Sequence, residues 1–193
     1  MNKKILNKQL NSDLKRYGVK KVNLRTLRTF HGYLYSSSIR KAKFYKNKNI
    51  FLYWYHRLKL EVMGFKYGFQ IPYYTEIGYG FYIGHFGTIV VNGSAILGNN
   101  INISPGVTIG MTNRGVNKGV PVIGDDVWIG TNAVIVGKIR IGNHVMIAPN
   151  SFVNFNVPDN SIVIGNPGQI HKKENATKYY VEHKFIEDDQ FGE

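Results

Sequence analysis

Residues 123–148 read IGDDVWIGTNAVIVGKIRIGNHVMIA, and their spacing decides the fold. Ile123, Ile129, Ile135, Ile141 and Ile147 stand six apart, and Val153 continues the series. The same step joins Val91, Leu97, Ile103 and Ile109 upstream, and Ile71, Ile77 and Ile83 before them. The next position is often small, as at Gly78, Gly98, Ser104, Gly124, Gly130, Gly142 and Ala148. The fourth position after many of the aliphatics suits an interior again: Ala95, Ile101, Val107, Val127, Ala133, Ile139, Val145 and Ser151. A period of six fits neither a 3.6-residue helix nor an alternating strand. It predicts a mainly β solenoid of short parallel strands joined by tight turns, with each hexad forming one face of a triangular coil. Thirteen such hexads, three to a coil, make a little over four coils. A β-sandwich with accidental spacing is the weaker reading.

The register breaks twice. Ile83 to Val91 is eight residues, and Ile109 to Ile123 is fourteen. The longer break holds MTNRGVNKGVP (111–121), polar, glycine-rich and basic, which is expected to leave the coil and reach across its surface. The shorter one holds Gly84-His85-Phe86-Gly87. A histidine between glycines has the pKa of a general base near neutrality and room for a substrate to approach. A surface histidine in a turn is the competing account. The other five histidines show no metal-ligand spacing, so no metal site is expected.

Composition bounds the rest. The chain has 193 residues, 43% of them apolar, which supports a sizeable core. It has no cysteine, which excludes a disulfide framework, a thiolate metal site and a cysteine nucleophile. No apolar run reaches the roughly 18 residues that span a bilayer, and residues 1–18 carry no stretch of signal-peptide type. A cytoplasmic protein, soluble or peripheral at the inner face of the membrane, is expected. Charge is concentrated: residues 1–70 hold 17 Lys and Arg against only Asp13 and Glu61, whereas residues 71–193 hold 8 basic and 10 acidic residues. Such a block points to an anionic partner or to a solvated helical face. The expected organisation is a basic, mostly helical segment over 1–70, a coil domain over 71–168 and a tail over 169–193. Within the first segment, 51–63 lacks Gly and Pro and predicts a helix stopping at Gly64. Tyr53, Trp54 and Tyr55 beside Arg57, Lys59 and Lys66 suit an anionic leaflet, unless they pack on the first coil.

The hexads, together with IGHFGTIVVNGSAIL (83–97) and ISPGVTIG (103–110), resemble the hexapeptide acyltransferase superfamily. The resemblance runs from about Gln70 to His171 and is to serine acetyltransferase and, more so, to O-acetyltransferases of capsule and exopolysaccharide clusters. It implies a left-handed parallel β-helix, acetyl-CoA as co-substrate and a homotrimer with active sites between subunits. It places the catalytic histidine on His85, which takes the acceptor proton while backbone N–H groups steady the oxyanion. By the same resemblance Gly110, Met111, Gly130, Thr131, Ala148 and Pro149 would line the cofactor, and Lys172 and Lys173 would meet its phosphates. Trp128 reads as a packed or stacking aromatic.

The sequence also departs from serine acetyltransferase. That family has aspartates where Gly84 and Gln70 stand and a second active-site histidine where Val120 stands. These losses suggest a neutral acceptor: a sugar hydroxyl met by Gln70, Gly84, Gly87 and Asn92, with Arg114 and Lys118 free for the phosphate of a nucleotide- or lipid-linked carrier. The expectation is therefore a sugar O-acetyltransferase of surface-polysaccharide assembly, with weak association to an anionic membrane and no nucleic acid. A divergent serine acetyltransferase is the alternative. A silent scaffold binding an anionic surface is the other class.

Overall fold

In the computed structural model, which describes residues 2–189, every aliphatic of the six-residue series is buried. They stack inside a left-handed parallel β-helix with three faces. The first face carries β1 (Phe69–Gln70), β4 (Ile89–Val91), β7 (Thr108–Gly110), β10 (Val134–Val136) and β13 (Phe152–Val153). The second carries β2 (Glu76–Ile77), β5 (Ile96–Leu97), β8 (Val122–Ile123) and β11 (Arg140–Ile141). On the third lie β3 (Tyr82–Ile83), β6 (Asn102–Ile103), β9 (Trp128–Ile129), β12 (Met146–Ile147) and β14 (Ser161–Ile164), with β15 (Gln169–Lys172) added antiparallel to β14. Registers are unbroken down each face: Ile83 lies beside Ile103, Ile103 beside Ile129, and Ile129 beside Ile147.

The edge between the second and third faces has its own order. Asn100, Asp126, His144 and Asn160 adopt left-handed backbone there, one per coil, which short polar side chains tolerate. The residue before each forms a ladder. The Asn99, Asp125, Asn143 and Asp159 side-chain oxygens accept from the backbone N–H of Tyr79, Asn99, Asp125 and Asn143, at 2.7–2.8 Å.

Four helices precede the coil: α1 (Lys3–Lys15), α2 (Leu24–Thr29), α3 (His31–Tyr45) and α4 (Ile50–Tyr67). The expected stop at Gly64 is not where α4 ends. The helix runs one turn further and closes at Gly68, whose φ of 81° is the left-handed cap. Gly64 instead lies against the Phe69 carbonyl, where a Cβ would come within 2.9 Å.

Polar side chains of α1 and α3 close the open first rung. Asp13 and Arg40, both buried, pair at 3.1 Å. Asp13 accepts from the Phe81 N–H at 2.9 Å, and Arg40 donates to the Ile77 and Gly78 carbonyls. Ser12 accepts from Gly80 N–H, and the Tyr35 hydroxyl serves Phe69 and Ile71. The C-terminal segment climbs the ladder edge back to these helices. Asn102 donates to the Tyr180 carbonyl, Asn100 exchanges two hydrogen bonds with Phe185, and Lys15 pairs with Asp189 at 2.7 Å. Among the described residues no helix is long and apolar enough to cross a membrane.

Arg40→Ala leaves Asp13 as a buried, uncompensated charge and is expected to cost about 3–5 kcal/mol in chemical denaturation. Removing a partner of the more exposed Arg57–Glu61 pair should cost less than about 1 kcal/mol. A second test concerns His56, buried beneath α4 with its ring stacked on Tyr45. Burial first, then Lys41 and Lys59, lower its pKa to about 4 from 6.5. The folded protein therefore holds it neutral while the unfolded chain protonates it. Its contribution to stability is complete above about pH 6.5 and is lost as pH falls toward 4. Urea midpoints of His56→Leu should depend less on pH over that window than those of the native chain.

Candidate active site

The shorter register break is pinned to the end of α4. Gly87 donates its N–H to the Tyr67 carbonyl at 2.9 Å, and Ile89 donates to the Gly68 carbonyl at 2.9 Å. Gly68 and Gly87 touch so closely that a Cβ on Gly68 would come within 2.9 Å of the Gly87 carbonyl carbon. One on Gly87, whose φ is 142°, would come as near to Pro105. The small size at Gly87 is thus used by packing. His85 projects from this loop, exposed to solvent.

The coil register extends the site downward. The residues following the aligned isoleucines are Gly84, Ser104, Gly130 and Ala148, and the next are His85, Pro105, Thr131 and Pro149. They form one edge, between the third and first faces, with His85 at its upper end. Hydrogen bonds from Asn132 N–H to Pro105 O and from Asn150 N–H to Thr131 O hold successive rungs together, both at 2.9 Å. At about 4.8 Å per rung, this edge of small side chains runs about 14 Å below Gly84. The smallness of Gly130 also has a local cause, since a Cβ there would meet Pro149 and Trp128. Trp128 packs against Tyr180, their rings 4.9 Å apart.

Other residues singled out by sequence lie elsewhere in a single chain. Gly110 and Met111 begin the longer break on a different edge, between the first and second faces. That break folds back as a hairpin closed by a Thr112–Gly119 bridge. It leans down its own coil, with Asn117 accepting from Lys138 N–H and donating to the Asn154 carbonyl, both at 2.8 Å. Arg114 and Lys118, both exposed, go with it. Lys172 and Lys173 follow the reversal into β15, which sets Lys172 opposite Ser161 and bonds Lys173 to Asn160. They lie at the ladder edge. A site that uses His85 and the 111–121 hairpin together requires two protomers.

Gln70 and Asn92 line an open groove of about 760 Å³ between α4 and the first face. Sequence reading missed two groups that share it. Arg57 and Glu61, an ion pair at 3.3 Å on successive turns of α4, also line this groove. The signal was available: Glu61 is one of only two acids among seventeen basic residues in 1–70. Val90, Val91, Asn92 and Gly93 carry the groove wall across the first face to its edge with the second, whereas His85 stands at its edge with the third.

The bacterial transferase hexapeptide (six repeats) family matches residues 121–154. Serine acetyltransferase from Bacillus pumilus is 36% identical over 127 residues, which is 66% of this chain and 57% of that enzyme. The Staphylococcus epidermidis enzyme is 36% identical over 68% of this chain and 61% of its own length. The chain thus spans under two thirds of the curated relatives it matches. Among solved structures, Neisseria gonorrhoeae serine acetyltransferase in complex with serine superposes with a TM-score of 0.69 at 30% identity, covering 88% of this chain and 70% of that one. The soybean apoenzyme gives 0.72 at 27%, over 86% and 69%. These similarities, consistently to serine acetyltransferases, overturn the expected sugar acceptor and its place in polysaccharide assembly. The argument for a sugar rested on the uncharged Gly84 and Gln70, and the similarity to serine acetyltransferases over two thirds of the chain outweighs it. Hexad spacing, three-faced coil and shared similarity agree that the chain belongs to the hexapeptide-repeat, left-handed β-helix acyltransferases.

Proposed function

We propose that the chain is an acetyl-CoA-dependent serine O-acetyltransferase, working in the cytoplasm as a homotrimer. The observation that carries this reading is the position of His85, exposed at the head of a small-residue edge, with the groove of Arg57 and Glu61 across the first face at the hairpin edge that a neighbouring protomer would meet. Acetyl-CoA supplies the activated acyl group, with its arm along Ser104, Gly130, Thr131, Ala148 and Pro149. In a trimer, the edge of one protomer faces the 111–121 hairpin of the next, which brings Gly110, Met111, Arg114 and Lys118 to the same cleft. His85 has no hydrogen-bond partner among the described residues of its own chain, and its orienting group comes from that neighbour.

Serine carries both a carboxylate and an ammonium, and each needs a counter-charge when it leaves water. Arg57 meets the carboxylate and Glu61 the ammonium, with Gln70 and Asn92 completing the hydrogen bonds. These groups take the place of the family aspartates absent at Gly84 and Gln70. His85 withdraws the hydroxyl proton as the serine oxygen attacks the thioester carbonyl. The C–S bond then breaks, and the imidazolium returns the proton to the departing thiolate. Oxygen gains the acetyl group, sulfur gains the proton, and the histidine ends neutral.

His85→Ala is expected to lower kcat by at least about 100-fold, with acetyl-CoA affinity unchanged. Steady-state thiol release and calorimetry on the folded trimer test this, and near-normal turnover would remove His85 from the mechanism. The acceptor is tested separately, with L-serine and acetyl-CoA as substrates and O-acetylserine read by mass spectrometry. Arg57→Gln should raise the KM for serine on the order of 10-fold or more, as for loss of a charged hydrogen bond, and leave that for acetyl-CoA in place. Absence of O-acetylserine at saturating serine from an enzyme that binds acetyl-CoA would defeat the assignment.

A further inference from the structure

One face of α4 turns away from the coil, and of its residues only Phe65 also lines the groove of Arg57 and Glu61. Phe51, Trp54, Tyr55, Leu58, Val62 and Phe65 recur at i, i+3, i+4, i+7, i+11 and i+14, which places them on a single stripe. All six are exposed, Phe51 to 84% and Phe65 to 93%. The opposite side of the helix is spent on the core: His56, Leu60 and Met63 are buried, and Tyr53 packs edge-on against Tyr73 of the first coil. Of the aromatics that sequence offered either to the coil or to a leaflet, Tyr53 goes to the coil, while Trp54 and Tyr55 face outward. Fourteen residues of helix make the stripe about 21 Å long.

We propose that this face docks on an anionic phospholipid bilayer, with α4 lying flat among the headgroups. Three observations favour that occupant. Four of the six stripe residues are aromatic, including Trp54 and Tyr55, whose rings suit an apolar–polar boundary. Lys59 and Lys66 lie along one margin of the stripe by helical position, where their stems can reach the phosphates as the ring faces sink. The segment around it, with 17 basic residues against two acids, is complementary to an acidic surface and repels a second copy presenting the same face. The helix carries four charged residues over Arg57–Lys66 and does not meet the length and apolarity of a spanning helix.

The test uses the full chain and vesicles of phosphatidylcholine with or without phosphatidylglycerol, in flotation at low and high salt. Binding is expected only with phosphatidylglycerol and is reduced by salt. Lys59→Gln/Lys66→Gln should weaken it about 25-fold, at about fivefold for each lysine near an anionic surface. Trp54→Ser/Leu58→Ser should abolish flotation while leaving oligomer size by light scattering and serine acetylation as in the parent. No flotation on acidic vesicles at low salt would overturn the proposal. So would a smaller oligomer from Trp54→Ser/Leu58→Ser, which would assign the face to a second copy of the chain. The acetyl-transfer reading is tested apart from both, on the parent chain with soluble substrates and no vesicles.

Discussion

A coil of stacked strands satisfies its backbone by giving each rung a neighbour, and its first rung has none above it. The N–H and carbonyl groups around β1, β2 and β3 would be left unpaired and half-buried, at a cost that no interior aliphatic offsets. Here that rung is closed by side chains: Asp13, Arg40, Ser12 and Tyr35 from α1 and α3, each with a hydrogen bond to backbone of residues 69–81. Arg16 adds the Gly80 carbonyl and Tyr17 the Ile83 carbonyl, both at 2.8 Å. The helices are therefore fastened to the coil by the same groups that complete it. The end of α4 in turn holds the loop bearing His85, through the Gly87 and Ile89 N–H groups.

The six-residue period has a second consequence. Because each face repeats in register, positions far apart in sequence become vertical columns, and each edge of the prism acquires its own chemistry. One edge is an Asn/Asp ladder whose side chains bond backbone from rung to rung. Another carries the small residues below His85. The third emits the 111–121 hairpin. The residues proposed to act together lie on two of these edges, facing different ways from one coil, which is why the proposed site is shared between protomers.

The basic N-terminal third looks uniform in composition but is not uniform in use. Its two acids are both committed: Asp13 to the buried pair with Arg40, and Glu61 to the groove with Arg57. Arg16 is buried and fully occupied, its pKa lowered to about 10 mainly by burial. The remaining lysines are largely uncompensated and surround helices whose outward surface includes the α4 stripe. Only part of the excess charge is thus consumed by folding.

Sequence alone determined the coil. A period of six in buried aliphatics has one economical solution, and local sterics at each small residue reinforce it, so strands, interior column and both loop breaks were legible from spacing. The break in the repeat also drew attention to His85, whose role as base rests on the resemblance and belongs to the proposal. Tertiary structure decided what periodicity cannot encode. It ended α4 at Gly68 rather than Gly64, because the left-handed turn must meet Gly87. It carried Lys172 and Lys173 to the ladder edge, because β15 reverses along β14. It also set Arg57 and Glu61 of α4 and Gln70 and Asn92 of the coil around one groove, a juxtaposition that depends on how the helix packs. Repeats are read from neighbours in sequence. The groove of Arg57 and Glu61 is lined by groups that meet only when the helical cap folds down onto the first rung.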